Sequence, residues 1–144
     1  MEKLPPIEKI PEAYTAIVDG RVRIQGDTAC VVSSNGAKEY IIKWSGNIYY
    51  SNDSSTYWQG YAGYPIIAVL MIQGKISLNE SILHFFKNIN WNKLNKENKR
   101  NYSLSLEKAL KDVSENDKKT IQTEMLKVLD EIQNLDITLT RKKL

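Results

Sequence analysis

Eight of the chain's 13 aromatic residues fall within 25 positions: Tyr40, Trp44, Tyr49, Tyr50, Tyr57, Trp58, Tyr61 and Tyr64. Gly46, Asn47, Asn52, Asp53, Gly60 and Gly63 are interspersed among them, which sets several rings in or beside turns. Rings placed this way serve either as a working surface or as a small Tyr-rich core. As a surface, flat π-faces beside Lys and Arg suit the stacking of unpaired bases, which tolerates any sequence and is worth about 1–3 kcal/mol per base. The chemistry on offer is therefore recognition of single-stranded nucleic acid. The candidates are Tyr50, Tyr57, Trp58, Tyr61 and Tyr64 for stacking, with Arg21, Arg23 and Lys43 for phosphates.

Signals for catalysis are weak by comparison. The single histidine, His84, has no second His or Cys nearby, so no familiar metal spacing is present. Cys30 is the only cysteine and can build neither a disulfide nor a Cys-rich metal site. There is no Gly-rich phosphate loop, nucleophile elbow or HExxH pattern. Asp19, Asp27 and Asp53 all adjoin turn residues, where a carboxylate commonly serves the local backbone. A non-catalytic binding protein without cofactor or metal is the expectation.

The elements that must position these residues follow from periodicity and punctuation. Pro5, Pro6 and Pro11 predict an extended lead-in, with a helical turn after it. From Arg21 to Ser51 the hydrophobic period is two, cut by turns at Gly26-Asp27, Asn35-Gly36 and Gly46-Asn47 into a four-stranded antiparallel meander. Counting outward from each turn places Val22, Ile24, Ala29, Val31, Tyr40, Ile42, Trp44 and Tyr49 on one core face. The other face then carries Arg21, Arg23, Lys43 and Tyr50.

Beyond the aromatic loop at 52–64, Pro65 and Gly74 bracket an all-apolar helix. Ser77 and Glu80 have capping-box spacing before Leu78, Ile82, Phe85, Phe86 and Ile89, predicting a second helix. Residues 90–102 are Asn-rich around Trp91 and Leu94 and predict a short helix or loop, and Leu106, Ala109, Leu110 and Val113 mark another helix.

From Ile121 the apolar spacing becomes 4, 3, 4, 3, 4 through Met125, Val128, Ile132, Leu135 and Leu139, the pattern of a coiled-coil seam, or, since Leu126 and Leu129 widen the stripe, of a surface helix of the same domain. The fold class expected is α+β: a four-stranded antiparallel β-meander packed on helices, with a C-terminal coiled-coil-like helix. Residues 1–113 form the nucleic-acid-binding domain, and residues 114–144 form a helix that joins two copies. Cutting after Val113 should then leave a soluble monomer.

At 144 residues the chain has room for one well-buried domain plus an appended element. A formal charge of +3 permits a polyanionic partner. The basic excess lies in the middle of the chain, where Lys87, Lys93, Lys96, Lys99 and Arg100 face only Glu97, a possible phosphate-facing patch or a solvated helix face. The start Met-Glu-Lys-Leu-Pro-Pro lacks an apolar leader, and the longest apolar run, Ile66 to Ile72, is far below the roughly 20 residues that span a bilayer. A cytoplasmic protein with no membrane segment is expected.

This layout of strands at 21–51, aromatic loop at 52–64, helices from Pro65 and a seam from Ile121 to Leu139 resembles the archaeal single-stranded-DNA-binding family ThermoDBP and its related proteins. The resemblance implies sequence-independent binding of single-stranded DNA in an apolar cleft flanked by cations, within a homodimer. DNA and RNA remain open, since they differ at the 2′-hydroxyl. Two other classes stay in view: a protein-interaction adaptor using the terminal helix and the aromatic loop, and a small enzyme with a cleft under that loop.

Overall fold

A computed structural model describes residues 3–144, so Met1 and Glu2, on which the expectation about the start of the chain partly rests, lie outside the described residues. The fold is mixed α/β. One five-stranded sheet runs in the order β1 (Val22–Gln25), β2 (Thr28–Val32), β3 (Glu39–Ser45), β4 (Ile48–Ser51) and β5 (Thr138–Thr140). The helices are α1 (Lys9–Val18), α2 (Tyr64–Ile72), α3 (Trp91–Glu97), α4 (Tyr102–Ala109) and α5 (Glu115–Gln133), with a 3-10 helix at Glu80–Phe86 and a π-helical turn at Ser55–Gln59.

Strands β1 to β4 pair antiparallel in chain order, with Ile24 opposite Ala29, Ala29 opposite Ile42, Val31 opposite Tyr40 and Trp44 opposite Tyr49. Gly26 and Gly46 supply the left-handed conformations that two-residue turns require, with φ of 63° and 57°. The core face of this sheet receives α2. Gly63 precedes its first residue, Pro65 sits in its first turn, and Pro65 through Met71 are all buried between the sheet and α1.

The sequence-based expectation is corrected in four places. The lead-in is shorter than its prolines suggest: α1 starts at Lys9, and Pro11 lies in its first turn, where a missing N–H costs no helical bond. Ile10, Ala13, Tyr14 and Ala16 of this helix are fully buried.

The second correction concerns Ser77, which does not cap a helix. Its N–H and hydroxyl both donate to the Glu131 carboxylate, at 2.8 and 2.7 Å. Asn79 caps the following turns, which are 3-10 in form.

Third, the sheet has a fifth strand. The C-terminal helix stops at Gln133, and Leu139 lies in β5 opposite Tyr49, running parallel to β4. Thr138 N–H donates to the Asn47 carbonyl at 2.8 Å, so the otherwise open edge of β4 is paired.

The fourth correction concerns the expected dimer seam. Ile121, Met125, Val128 and Ile132 are between 0 and 3 % exposed in the single chain. They belong to the same hydrophobic cluster as α1 and α2, with Leu135 and Leu139 packed against it. The stripe that would have joined two copies is thus covered within one chain, and the core does not divide at residue 113.

Candidate functional site

An open cleft of about 660 Å³ lies where α1, the β2–β3 turn, the start of the π-helical turn, the first residue of α2 and the α3–α4 segment meet. Its cations are Lys9, Lys38, Lys96, Lys99 and Arg100, and its rings are Tyr40, Tyr64 and Tyr102. Among the described residues two acidic side chains, Glu12 and Asp53, line it. Lys38, Lys96, Lys99 and Arg100 are exposed, whereas Glu12 and Asp53 are 7 and 5 % exposed. Positive charge therefore sits at the rim and negative charge at the floor.

Local structure fixes each wall. Trp91 is buried and its indole N–H donates to the Thr15 hydroxyl at 2.9 Å, which in turn donates to the Phe86 carbonyl, so α3 is anchored to α1. Asn90 and Asn101 cap α3 and α4 with their side chains. The Ser34 hydroxyl donates to Asn92 Oδ1 at 2.5 Å and accepts from Asn92 N–H at 3.1 Å, tying α3 to the β2–β3 turn. Between α3 and α4, Lys99 and Arg100 both adopt left-handed backbone, at φ of 53° and 63°. Two successive non-glycine residues in that region carry strain of order 1–3 kcal/mol each.

Asp53 holds the aromatic loop in shape. Its carboxylate accepts from the Ser51 hydroxyl and, at 3.1 Å, from Thr56 N–H; the Thr56 hydroxyl then accepts from Gly63 N–H at 3.0 Å. A Cβ on Gly63 would lie 2.1 Å from Asp53 Oδ2, which explains glycine at this close approach.

The electrostatics of the floor centre on Lys9 and Glu12. Lys9 Nζ lies 3.6 Å from Glu12 and 4.6 Å from the centre of the Tyr102 ring. Burial pulls the Lys9 ammonium down, but Glu12, Tyr102, Tyr61 and Asp53 together leave it above the usual lysine range. Burial raises the Glu12 carboxyl above its usual value, against the opposing pull of Lys9 and of Asn95, whose amide donates to it at 2.9 Å. Tyr40 and Tyr64 meet edge to face with centroids 6.1 Å apart. Burial raises both phenols; Tyr40 and Glu12 push Tyr64 further up while Arg21 pulls it back.

The residues singled out from sequence fall into separate groups. Tyr64 is in the cleft wall, and Arg21 lies behind it, its guanidinium donating to the Val32 carbonyl. Arg21 therefore does not join the outer face to which strand alternation assigned it. Arg23, opposite Cys30, is exposed on that outer face; Lys43, flanked by Thr28 and Tyr50, is half-buried, and Tyr50 is buried. Tyr57 and Trp58 meet edge to face with Arg141 5.9 Å from each ring, and Trp58 is 67 % exposed. Tyr61 carries Lys3 over its ring at 5.6 Å.

The aromatic candidates thus mix surface with core. Lys9, Glu12, Lys38, Tyr40, Asn95 and Tyr102 were not singled out as site residues, because they are scattered over 94 positions of sequence. The sequence signals for this cleft are the cation run that includes Lys96, Lys99 and Arg100, and Tyr40 and Tyr64 of the aromatic cluster.

Among the described residues no group of three or more His, Cys, Asp and Glu is placed to hold a metal ion, and no helix is long and apolar enough to cross a membrane. Fold and site together define a mixed α/β protein with a cation-rimmed, tyrosine-lined cleft. The chain belongs to the family described as Uncharacterised conserved protein UCP014422, which matches residues 2–138. No curated protein and no solved structure matches it.

Proposed function

We propose that this protein binds single-stranded nucleic acid without reading its sequence, and that the cleft between α1 and the α3–α4 segment is the seat of binding. The observation that carries this is the meeting of five cations and three tyrosines in one open cleft of about 660 Å³. The rim supplies ammonium and guanidinium groups for phosphates, and the tyrosines supply faces and edges for unpaired bases. The volume lies within the range of ordinary ligand clefts, and its open form suits a chain that passes through rather than a molecule that is enclosed. The resemblance of the sequence to ThermoDBP, apart from the terminal seam, implies the same activity. A protein-interaction adaptor working through the terminal helix would need the Ile121–Ile132 stripe free, and that stripe is buried in the chain's own core.

The test is fluorescence anisotropy with labelled single-stranded and duplex oligonucleotides of equal length. Tighter binding of the single strand supports the proposal. Equal affinity for duplex would leave only non-specific charge attraction, and no binding to either would end the nucleic-acid assignment.

A further inference from the structure

We infer that Glu12 is the acceptor in the cleft floor that takes a hydrogen bond from a donor group of the bound nucleotide, either an exocyclic base amine or the ribose 2′-hydroxyl. The inference deepens the single-strand proposal and rests on it.

Layering of charge sets the direction of entry. Phosphates, which have no donors, belong with the exposed cations at the rim, so the base and sugar face the floor. Two carboxylates lie there, and they are not equivalent. Asp53 spends its oxygens on Ser51 and Thr56 and backs directly onto Gly63, so it serves the loop.

Glu12 is different. It lines the main cleft and both smaller recesses beside it. Asn95 donates to Oε1 at 2.9 Å and Lys9 stands 3.6 Å from Oε2. An ionised carboxylate accepts at about four lone-pair sites; these two partners favour the charged form against the burial that raises the Glu12 pKa, and they leave acceptor capacity. Such a group, walled by Tyr40, Tyr64 and Tyr102 and screened from bulk water, rewards a ligand donor and penalises its absence, because a hydrogen bond to a charged group is stronger than a neutral one.

The experiment compares oligo-dU, oligo-dC and oligo-rU of one length on the intact protein by anisotropy. Cytosine carries an exocyclic amine at position 4 and no hydrogen on N3, whereas uracil carries an oxygen at position 4 and a ring N3–H. The rU and dU strands differ only by the 2′-hydroxyl. The wild type should favour dC over dU, or rU over dU, by about tenfold, the size of one charge-assisted hydrogen bond. The first preference assigns the donor to the base and the second to the sugar.

Glu12→Gln should erase that preference, with dU binding unchanged or tighter because Lys9 loses its partner. Where thermal melting shows that Glu12→Gln does not fold, Glu12→Asp, which withdraws the carboxylate by one methylene, should lose the preference instead. Equal affinity of the wild type for all three strands, or a preference that persists in the folded variant, overturns the inference while leaving single-strand binding intact. Failure of the wild type to bind any of the strands removes both.

Discussion

Replacing the rim cations of the α3–α4 segment should change how binding depends on salt more than it changes the fold. Lys96, Lys99 and Arg100 are exposed and line the cleft. Lys99 and Arg100 sit in left-handed backbone, so asparagine, which tolerates that conformation, is the appropriate replacement there. The variant is Lys96→Ala, Lys99→Asn, Arg100→Asn. For single strands, each neutralised phosphate contributes about 0.7 to the slope of log affinity against log salt, so the four exposed cations of the rim, Lys38, Lys96, Lys99 and Arg100, correspond to a slope of about −2.8. Removing three leaves about −0.7.

Between about 50 and about 200 mM salt the wild type should then lose about fiftyfold in affinity, and the variant only about threefold. Anisotropy titrations at four or more salt concentrations read both slopes, and thermal melting checks that stability moves by no more than about 0.5 kcal/mol per substitution. The pair Arg23→Ala, Lys43→Ala on the outer sheet face is the contrast and should leave the slope near the wild-type value. If the triple variant keeps the full slope while the outer pair loses it, the cleft is not where phosphates bind.

The further outcomes concern stability. Tyr14 is fully buried and its hydroxyl has no hydrogen-bond partner among the described residues, so Tyr14→Phe should stabilise the protein by about 1 kcal/mol in denaturant titrations; a loss of similar size would show that the hydroxyl is satisfied. Burial, with Glu124 and Glu131 nearby, raises that phenol above its ordinary value of 10.0. The folded state therefore holds the proton more tightly than the unfolded chain. The stability this contributes is complete below pH 10 and declines as the pH climbs further, a decline that Tyr14→Phe should reduce.

Gly63→Ala places a methyl group 2.1 Å from Asp53 Oδ2 and should cost about 1–3 kcal/mol through the displaced Asp53–Thr56 bonds; a melting temperature equal to wild type would mean that the loop yields freely. Ile132→Ala should cost about 2–5 kcal/mol, and truncation after Val113 should leave no folded soluble monomer by circular dichroism and sedimentation, because the removed helix fills the core.

What the sequence determines by itself is what short-range chemistry decides. Left-handed glycines at Gly26 and Gly46, flanked by alternating apolar residues, fix strand register over a few residues, because a one-residue slip would turn Ile42 and Val31 outward. Pro65 and Gly74 around an all-apolar run define α2 for the same reason. The seam residues from Ile121 to Ile132 also declare a helix with one apolar stripe, but a stripe does not name what covers it. Only tertiary packing assigns it to the chain's own core, and only packing gives Leu139 a strand edge to join. The assembly of the cleft belongs to that second category, although its cation run and Tyr64 are visible in sequence. Lys9, Tyr40, Asp53, Tyr64, Lys99 and Tyr102 come from six places along the chain, and each obeys a local rule that says nothing of the others. Their convergence depends on Trp91 anchoring α3 to α1 and on Ser34 holding Asn92, contacts across 76 and 58 residues that no local pattern encodes.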